Sequence, residues 1–411
     1  MPELTERTDL TAESLPWFIS VDDHVVEPRD VWTSRLPKKY KDAAPHYERR
    51  KMGKARRVGS GQYVADEDAD GKITDVWVYG DVVKPILRTI AGVGLPPDLR
   101  NTEQTNFDEM RPGCYDLKAR IADMDMNHVE VSLCFPQMSR FCGQEFSEGK
   151  DKDLGLLCIK AYNDWQVEEW AGQSGGRIAP LAMVPLWDAQ LAADEVRRNA
   201  ARGVRAVTFS ESPYFLGYPS IHSGYWDPFF QACHETGTVV CMHIGSSSRM
   251  EAHFIAPEAP IAVGVSLTSN NAITSLMEYL FSGVLVKFPN LKLAYSESQV
   301  GWIPYQLERA DEIWEQHRTW NGVGSTLPEA PSYYYRRQVY GCFFRDYYGM
   351  KNLEAIGEDN TTFEVDYPHT DSTWPNTAAT ALDMFKYLTD EQIYKVSRGN
   401  AIRMLQLDLD K

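Results

Sequence analysis

The sequence predicts an α/β protein, a distorted (β/α)8 barrel of the TIM type with a large insertion after its first strand. Three observations predict it. Eight short, near-continuous apolar runs recur along the 411 residues, the pattern of parallel strands covered on both faces. Helical stretches fill most of the gaps between them. The length suits one such barrel with insertions.

In order, the first run is WFISV (17–21). Roughly a hundred residues separate it from the second, VEVSLCF (129–135). A compact domain does not carry a structureless loop of that length. Residues 28–119 therefore read as an inserted lid or subdomain over the barrel mouth, with a hairpin around Asp70-Gly71, and 1–411 as one domain. The third run, RIAPLAMV (177–184), follows the helical stretch LGLLCIKAYNDWQVEEW. The fourth, VRAVTF (204–209), follows AQLAADEVRRNAARG, which ends in a helix-stopping glycine. YWDPFFQACHETG repeats that pattern before the fifth run, TVVCMHI (238–244). Segment 245–285 then adds to the lid. LKLAYS (291–296), VYGCFF (339–344) and TTFEV (361–365) complete the set. The amphipathic helix WIPYQLERADEIWEQHRTW packs the barrel exterior or a neighbouring subunit.

Composition narrows the function. With 43% hydrophobic and 12% aromatic residues the chain can bury a large core. A formal charge of −16 argues against a nucleic-acid backbone or an anionic membrane as partner. An anionic metabolite stays possible, because a metal or a local arginine reverses the field inside a cleft. Seven cysteines, without a C-x-x-C pair, read as reduced, buried thiols of a cytoplasmic protein. No secretory signal and no membrane-spanning apolar run is present. G-x-S-x-G, P-loop and dinucleotide motifs are missing, so the expected partner is a small molecule handled by other chemistry.

That chemistry gathers at strand ends, which converge on one point in a barrel. The first run closes in VDDHVVEP, giving Asp22 and His24, with Glu27 read as structural. The fifth closes in CMHIGSSS, giving His243, and the sixth in AYSESQVGW, giving Glu297. The eighth closes in EVDYPHTD, giving Asp366 and His369. Asp22 and His24 are two apart on a strand, so they share a side and can chelate one ion. Imidazole with carboxylate suits zinc, iron or manganese, one or two divalent ions per chain. His369 either supports Asp366 or touches substrate. His222, Arg140 and Arg249 are candidate substrate contacts, the arginines for an anionic group.

These strand ends, with RIADMDMNHVEVSLCFP (120–136), YNDW (162–165), FPNLKLAYSESQVGWIPYQLERAD (288–311) and GNAIRML (399–405), resemble the amidohydrolase superfamily. Within it they resemble the branch of aminocarboxymuconate-semialdehyde decarboxylase, the hydroxybenzoate decarboxylases and assorted hydrolases. The resemblance spans nearly the whole chain. It implies that Asp22 and His24 fill the first-strand metal positions, His243 the fifth-strand one, and that Asp366 binds metal and moves protons. It also implies a homodimer or larger oligomer. Two departures stand out: Asp22 where histidine or glutamate is usual, and Glu297 where the sixth strand usually ends in histidine. The extra negative charge is easiest to neutralise with a second ion. The expected function is therefore a metal-dependent hydrolase acting on a fairly bulky substrate. Metal-activated water attacks an amide, ester, thioester or C–C carbonyl, with Asp366 as proton shuttle and Glu297 as ligand or acid/base group. The alternative is non-oxidative decarboxylation of an aromatic or enoic acid, with Asp366 protonating the carbon that loses CO2.

Overall fold

Eight parallel strands follow the eight apolar runs. They are β1 (Phe18–Val25), β2 (Val129–Pro136), β3 (Ile178–Ala179 and Leu181–Met183), β4 (Ala206–Thr208), β5 (Val239–His243), β6 (Lys292–Ser296), β7 (Val339–Phe343) and β8 (Thr361–Phe363). The structure, a computed structural model, describes residues 6–59, 62–249, 256 and 258–409. β1 pairs with β2, and β2 with the first part of β3. The second part of β3 begins an unbroken order through β4, β5, β6 and β7 to β8. The division falls at Pro180, which has no N–H to give to a ladder.

The ring closes between β8 and β1 through the loop after β8. The Asp366 amide donates to the Asp22 carbonyl at 2.9 Å, and the His24 amide to the Tyr367 carbonyl at 2.6 Å. The Val365 amide donates to Ser20 Oγ at 2.9 Å. A distorted barrel with a large insertion after its first strand is therefore the fold. Ile19, Val131, Leu133, Leu181, Val239 and Ala294 fill the barrel interior, and Met404 and Leu405 pack against them. Helices cover the outside. The helix Ala189–Ala200 starts on Asp188, whose side chain accepts from two first-turn amides. The helix Asp227–Thr236 stops at Gly237, φ +67°.

The insertion folds as antiparallel sheet joined by short 3-10 turns. Lys72–Tyr79 lies between His46–Met52 and Val82–Pro85. A small hairpin, Arg56–Gly59 with Gln62–Val64, stands beside it. The hairpin expected at Asp70-Gly71 is a turn only. The segment before it bridges Met52 through Glu67, and the strand after it pairs along His46–Met52, so both sides of the turn meet that strand rather than each other. The tight hairpin is at Gly80-Asp81, where Tyr79 faces Val82 and Gly80 takes φ +55°. Trp77 of this sheet meets Trp32 edge-on at 5.3 Å, and Trp32 Nε1 donates to the Cys158 carbonyl at 3.1 Å. Further on, the amides of Gly92 and Val93 donate to the Pro368 carbonyl, and that of Thr370 to Thr89. The insertion is thus tied to the loop that follows β8.

All seven cysteines are free and buried. Among the described residues no helix is long and apolar enough to cross a membrane. Of the second expected lid segment, 245–285, residues 250–255 and 257 lie outside the described residues, and the rest includes the helices Ile261–Ser266 and Ser269–Phe281.

Candidate metal centre

Asp22 and His24 reach the barrel mouth through an irregularity. The register of β1 against β2 slips between Ser20 and Asp23, a bulge that re-aims the side chains beyond it. Val21 can then pack in the barrel interior while its neighbour Asp22 joins the centre. His243 needs no such device. It continues the inward series Val239, Cys241 at the period of two. Asp366 and Glu297 come just past β8 and β6, both left-handed at φ +59° and +56°. Arg140 and Ser248, in the loops after β2 and β5, share that conformation. It is uncommon outside glycine and concentrates at functional sites.

The side chains converge. His24 Nε2 lies 3.6 Å from Asp22 Oδ1 and 3.5 Å from Asp366 Oδ1. His243 Nε2 lies 3.4 Å from Asp22 Oδ2 and 3.4 Å from Glu297 Oε2. Bonds of about 2.0–2.2 Å to one ion put adjacent ligand atoms about 3.0–3.5 Å apart. Two groups, Asp22 with His24 and His243, and His24 with Asp366 and His369, each offer ligand atoms within 4.8 Å of one another. Glu297 belongs to neither group. Both oxygens of Asp22, Oδ2 of Asp366, both ring nitrogens of His24 and Nε2 of His243 are buried without a hydrogen-bond partner. Leaving one such atom unmatched costs about 1–3 kcal/mol, more if charged. A cation among them removes that cost. This is a divalent-metal-binding site of histidine and aspartate.

Its electrostatics agree. Burial, then the charges of Glu364 and Asp366, pushes Asp22 far above the usual carboxylate range. Burial also raises Asp366 and Glu297, with Asp371 and Asp366 the next contributors respectively. Burial lowers His243 to about 3 and His369 to about 4, and His24 falls too. The imidazoles are therefore neutral, the form that ligates. So many carboxylates ionise together only beside a cation. His243 Nδ1 donates to the Ile244 carbonyl at 2.7 Å, which keeps the Nε2 lone pair facing the centre.

Three neighbours were not singled out from sequence. Glu364 precedes Asp366 by two residues, the spacing that puts both on one side of a strand. It is fully buried and accepts from the Glu297 amide at 3.0 Å and from the Cys342 thiol, and burial pushes it to about 8. That period-two spacing was the available signal. Gln137 places its amide nitrogen 2.6 Å from His369 Nε2. Glu27 holds Gln137 and Met138 by their amides at 3.0 and 2.9 Å, the structural role expected of it. Phe141 stacks on His243 at 4.2 Å, as His369 does on His24 at 3.8 Å.

His369 Nδ1 is 2.8 Å from Asp366 Oδ1. Six expected residues thus meet: Asp22, His24, His243, Glu297, Asp366 and His369. Arg140 is close by, buried and paired with Glu148 at 2.8 Å, and lines a cavity of about 120 Å³ with His369. Arg249 does not line that cavity and lies over the Phe215 ring at 4.1 Å. His222 is exposed in the turn Ile221–Ser223, with no hydrogen bond, ion pair or ring contact to the centre among the described residues.

Residues 68–407 match the amidohydrolase family. Among solved structures the chain is similar to an amidohydrolase from Mycobacterium avium subsp. paratuberculosis K-10, at 22% identity and TM-score 0.68, over 95% of this chain and 99% of that one. It is also similar to 5-carboxyvanillate decarboxylase from Sphingomonas paucimobilis, at 18% identity and TM-score 0.61, over 95% and 99%. A third is 5-carboxyvanillate decarboxylase from Novosphingobium aromaticivorans DSM 12444, complexed with manganese and 4-hydroxy-3-methoxy-5-nitrobenzoic acid. There the identity is 14% and the TM-score 0.63, over 98% and 100%. Likeness at these identities establishes the fold alone. No curated protein matches the chain.

Proposed function

We propose, from the premise that this chain belongs to the amidohydrolase family, that its metal-dependent centre removes CO2 non-oxidatively from a small aromatic or enoic carboxylic acid. One observation carries this reading. One atom, His24 Nε2, lies 3.6 Å from Asp22 Oδ1 and 3.5 Å from Asp366 Oδ1, spacings that a single ion bound by all three can span. The aromatic-acid decarboxylases among the similar structures support it. Hydrolysis, ranked first on sequence, becomes the second reading.

Asp22, His24, His243 and Asp366 would hold the ion, which when bound withdraws electron density from a substrate oxygen. Leu87, Ile90 and Phe141, in the wall shared with His369, receive the flat body of the acid and exclude water. Residues 28–119 act as the lid that carries Leu87 and Ile90. Asp366 gives a proton to the carbon that bears the carboxylate. The electron pair of the breaking C–C bond stays on that carbon, and CO2 leaves. His369, 2.8 Å from Asp366 Oδ1, restores the proton from solvent, its ring oriented by Gln137.

The test is CO2 release by manganese-loaded protein across a panel of hydroxybenzoates and enoic acids. Turnover of at least one, lost on chelation, is the expected result. A panel wholly inert with metal bound counts against decarboxylation. The second reading has its own observation. Glu297, 3.4 Å from His243 Nε2, is a further carboxylate that a second ion would use. Elemental analysis near two ions per chain would move the reading to hydrolysis of esters, thioesters or amides.

A further inference from the structure

Glu211 follows β4, is buried, and takes no part in the chemistry proposed for the centre. One of its oxygens, Oε1, gathers four donor atoms. The Gly245 amide lies at 3.0 Å, the Ser247 amide at 3.3 Å, Ser247 Oγ at 2.7 Å and Asn271 Nδ2 at 2.8 Å. The other oxygen, Oε2, is buried without a hydrogen-bond partner. The backbone is held as well. The Glu211 amide donates to Ser246 Oγ at 2.9 Å, and its carbonyl accepts from Ser275 Oγ at 2.6 Å. The residue thus joins the end of β4, the turn after β5 and the helix Ser269–Phe281, which carries Asn271 and Ser275. Burial raises Glu211 to about 6 against these donors, so it is ionised at neutral pH.

The turn after β5 adjoins His243. The Gly245 amide that Glu211 accepts belongs to the Ile244–Gly245 peptide. At the opposite edge of that peptide, the Ile244 carbonyl accepts from His243 Nδ1 at 2.7 Å. A trans peptide is planar, and its N–H and C=O point in opposite directions. Fixing the N–H toward Glu211 therefore fixes the carbonyl toward the imidazole. That bond keeps the proton on Nδ1 and leaves Nε2 as the lone pair, 3.4 Å from both Asp22 Oδ2 and Glu297 Oε2. A charge at one end of such a chain also polarises the bonds beyond it. Metal-bound histidines give their second nitrogen to a carboxylate, a carbonyl or water. Here a peptide stands between the imidazole and the carboxylate.

We propose that Glu211 is a positioning residue for the metal centre, holding the tautomer and direction of His243 through the Ile244–Gly245 peptide. This rests on the reading of His243 as a ligand. Glu211 acts through the turn, so its loss alters coordination of the ion and not stability alone.

The experiment loads full-length protein with cobalt(II), whose visible absorption reports coordination geometry, and measures cobalt affinity by competition with a chelator. Glu211→Ala shifts the cobalt bands in the direction that His243→Ala shifts them, and weakens binding about tenfold to a hundredfold. Glu211→Gln keeps an oxygen in place for the four donor atoms. It retains the bands of the unaltered protein and binds within about threefold of it. A Glu211→Ala protein with a lower melting temperature but unaltered bands and affinity overturns the proposal, because the carboxylate then supports the fold alone. Equal loss in Glu211→Gln and Glu211→Ala also overturns it, since an accepting oxygen is then not what sets the turn. If Glu211→Ala does not fold, Glu211→Asp, which draws the carboxylate back by one methylene, is read in the same way. His243→Ala separates the two levels. Unaltered bands in that variant overturn the reading of His243 as a ligand and the relay with it. Altered bands there, with unaltered bands in Glu211→Ala, overturn the relay alone.

Discussion

In the proposed decarboxylation Asp366 carries two demands at once. It would offer an oxygen to the ion and a proton to the substrate, from a left-handed position at φ +59°. Asp366→Asn keeps the size and removes the proton. Turnover should fall by about 10²–10⁴, the range of general acid catalysis, with secondary structure unchanged by circular dichroism. Retained turnover would remove Asp366 from the mechanism. A second residue-scale prediction concerns Glu27, whose burial raises it from 4.5 to about 7 against the amides that pull it down. Over that interval the folded chain keeps a proton that the unfolded chain has released. Stability relative to Glu27→Gln is therefore fully present below pH 4.5 and is lost as pH rises through about 7. The whole drop is about 3 kcal/mol, read from denaturant midpoints at about pH 4 and about pH 8. A difference that stays flat or grows across that interval contradicts the raised value.

At the scale of elements, the eight apolar runs lie within a few residues of the eight strands, because continuous burial on both faces leaves an unmistakable pattern. The residues that meet at the centre were legible for the same reason, since strand ends in a barrel can only point to one place. What sequence did not disclose was local and conformational. The slip in β1 between Ser20 and Asp23 depends on how β2 pairs against it, and no composition marks it. Glu297 turns into the centre through a left-handed backbone, a position where glycine would have been the ordinary signal. His222 looked available because it follows β4, yet its turn leaves it in solvent. The insertion illustrates the difference in scale. Asp70-Gly71 announced a turn correctly, but which strands flank a turn is decided by pairing elsewhere. Its docking rests heavily on Trp32, fully buried between Trp77 and Phe146. Trp32→Ala should cost about 3–5 kcal/mol, lowering the denaturation midpoint while metal content stays unchanged. Loss of metal along with stability would mean that the insertion and the centre unfold as one unit.

For the whole molecule, the formal charge of −16 and the buried carboxylates of the centre act in the same direction. Both draw in a divalent cation, and the raised carboxylates of the centre ionise together only when one arrives. Binding to the folded state alone stabilises it by mass action, about 2.7 kcal/mol at a hundredfold excess over the dissociation constant. Chelator-treated protein should therefore unfold at a lower temperature than manganese-loaded protein, and the gap should widen with metal concentration. If His243 ligates the ion as proposed, His243→Ala should narrow that gap sharply, since its Nε2 is buried and has no hydrogen-bond partner. The cavity it leaves should lower the midpoint of chelated and loaded protein alike, so the readout is the gap between them and not either temperature alone. The number of ions follows from the same titration. Saturation at about one equivalent fits ligand atoms that converge through the shared His24, whereas a second transition near two equivalents would bring Glu297 in as a ligand. A melting temperature that ignores both metal and chelator would contradict the assignment of these buried, unmatched atoms to a cation.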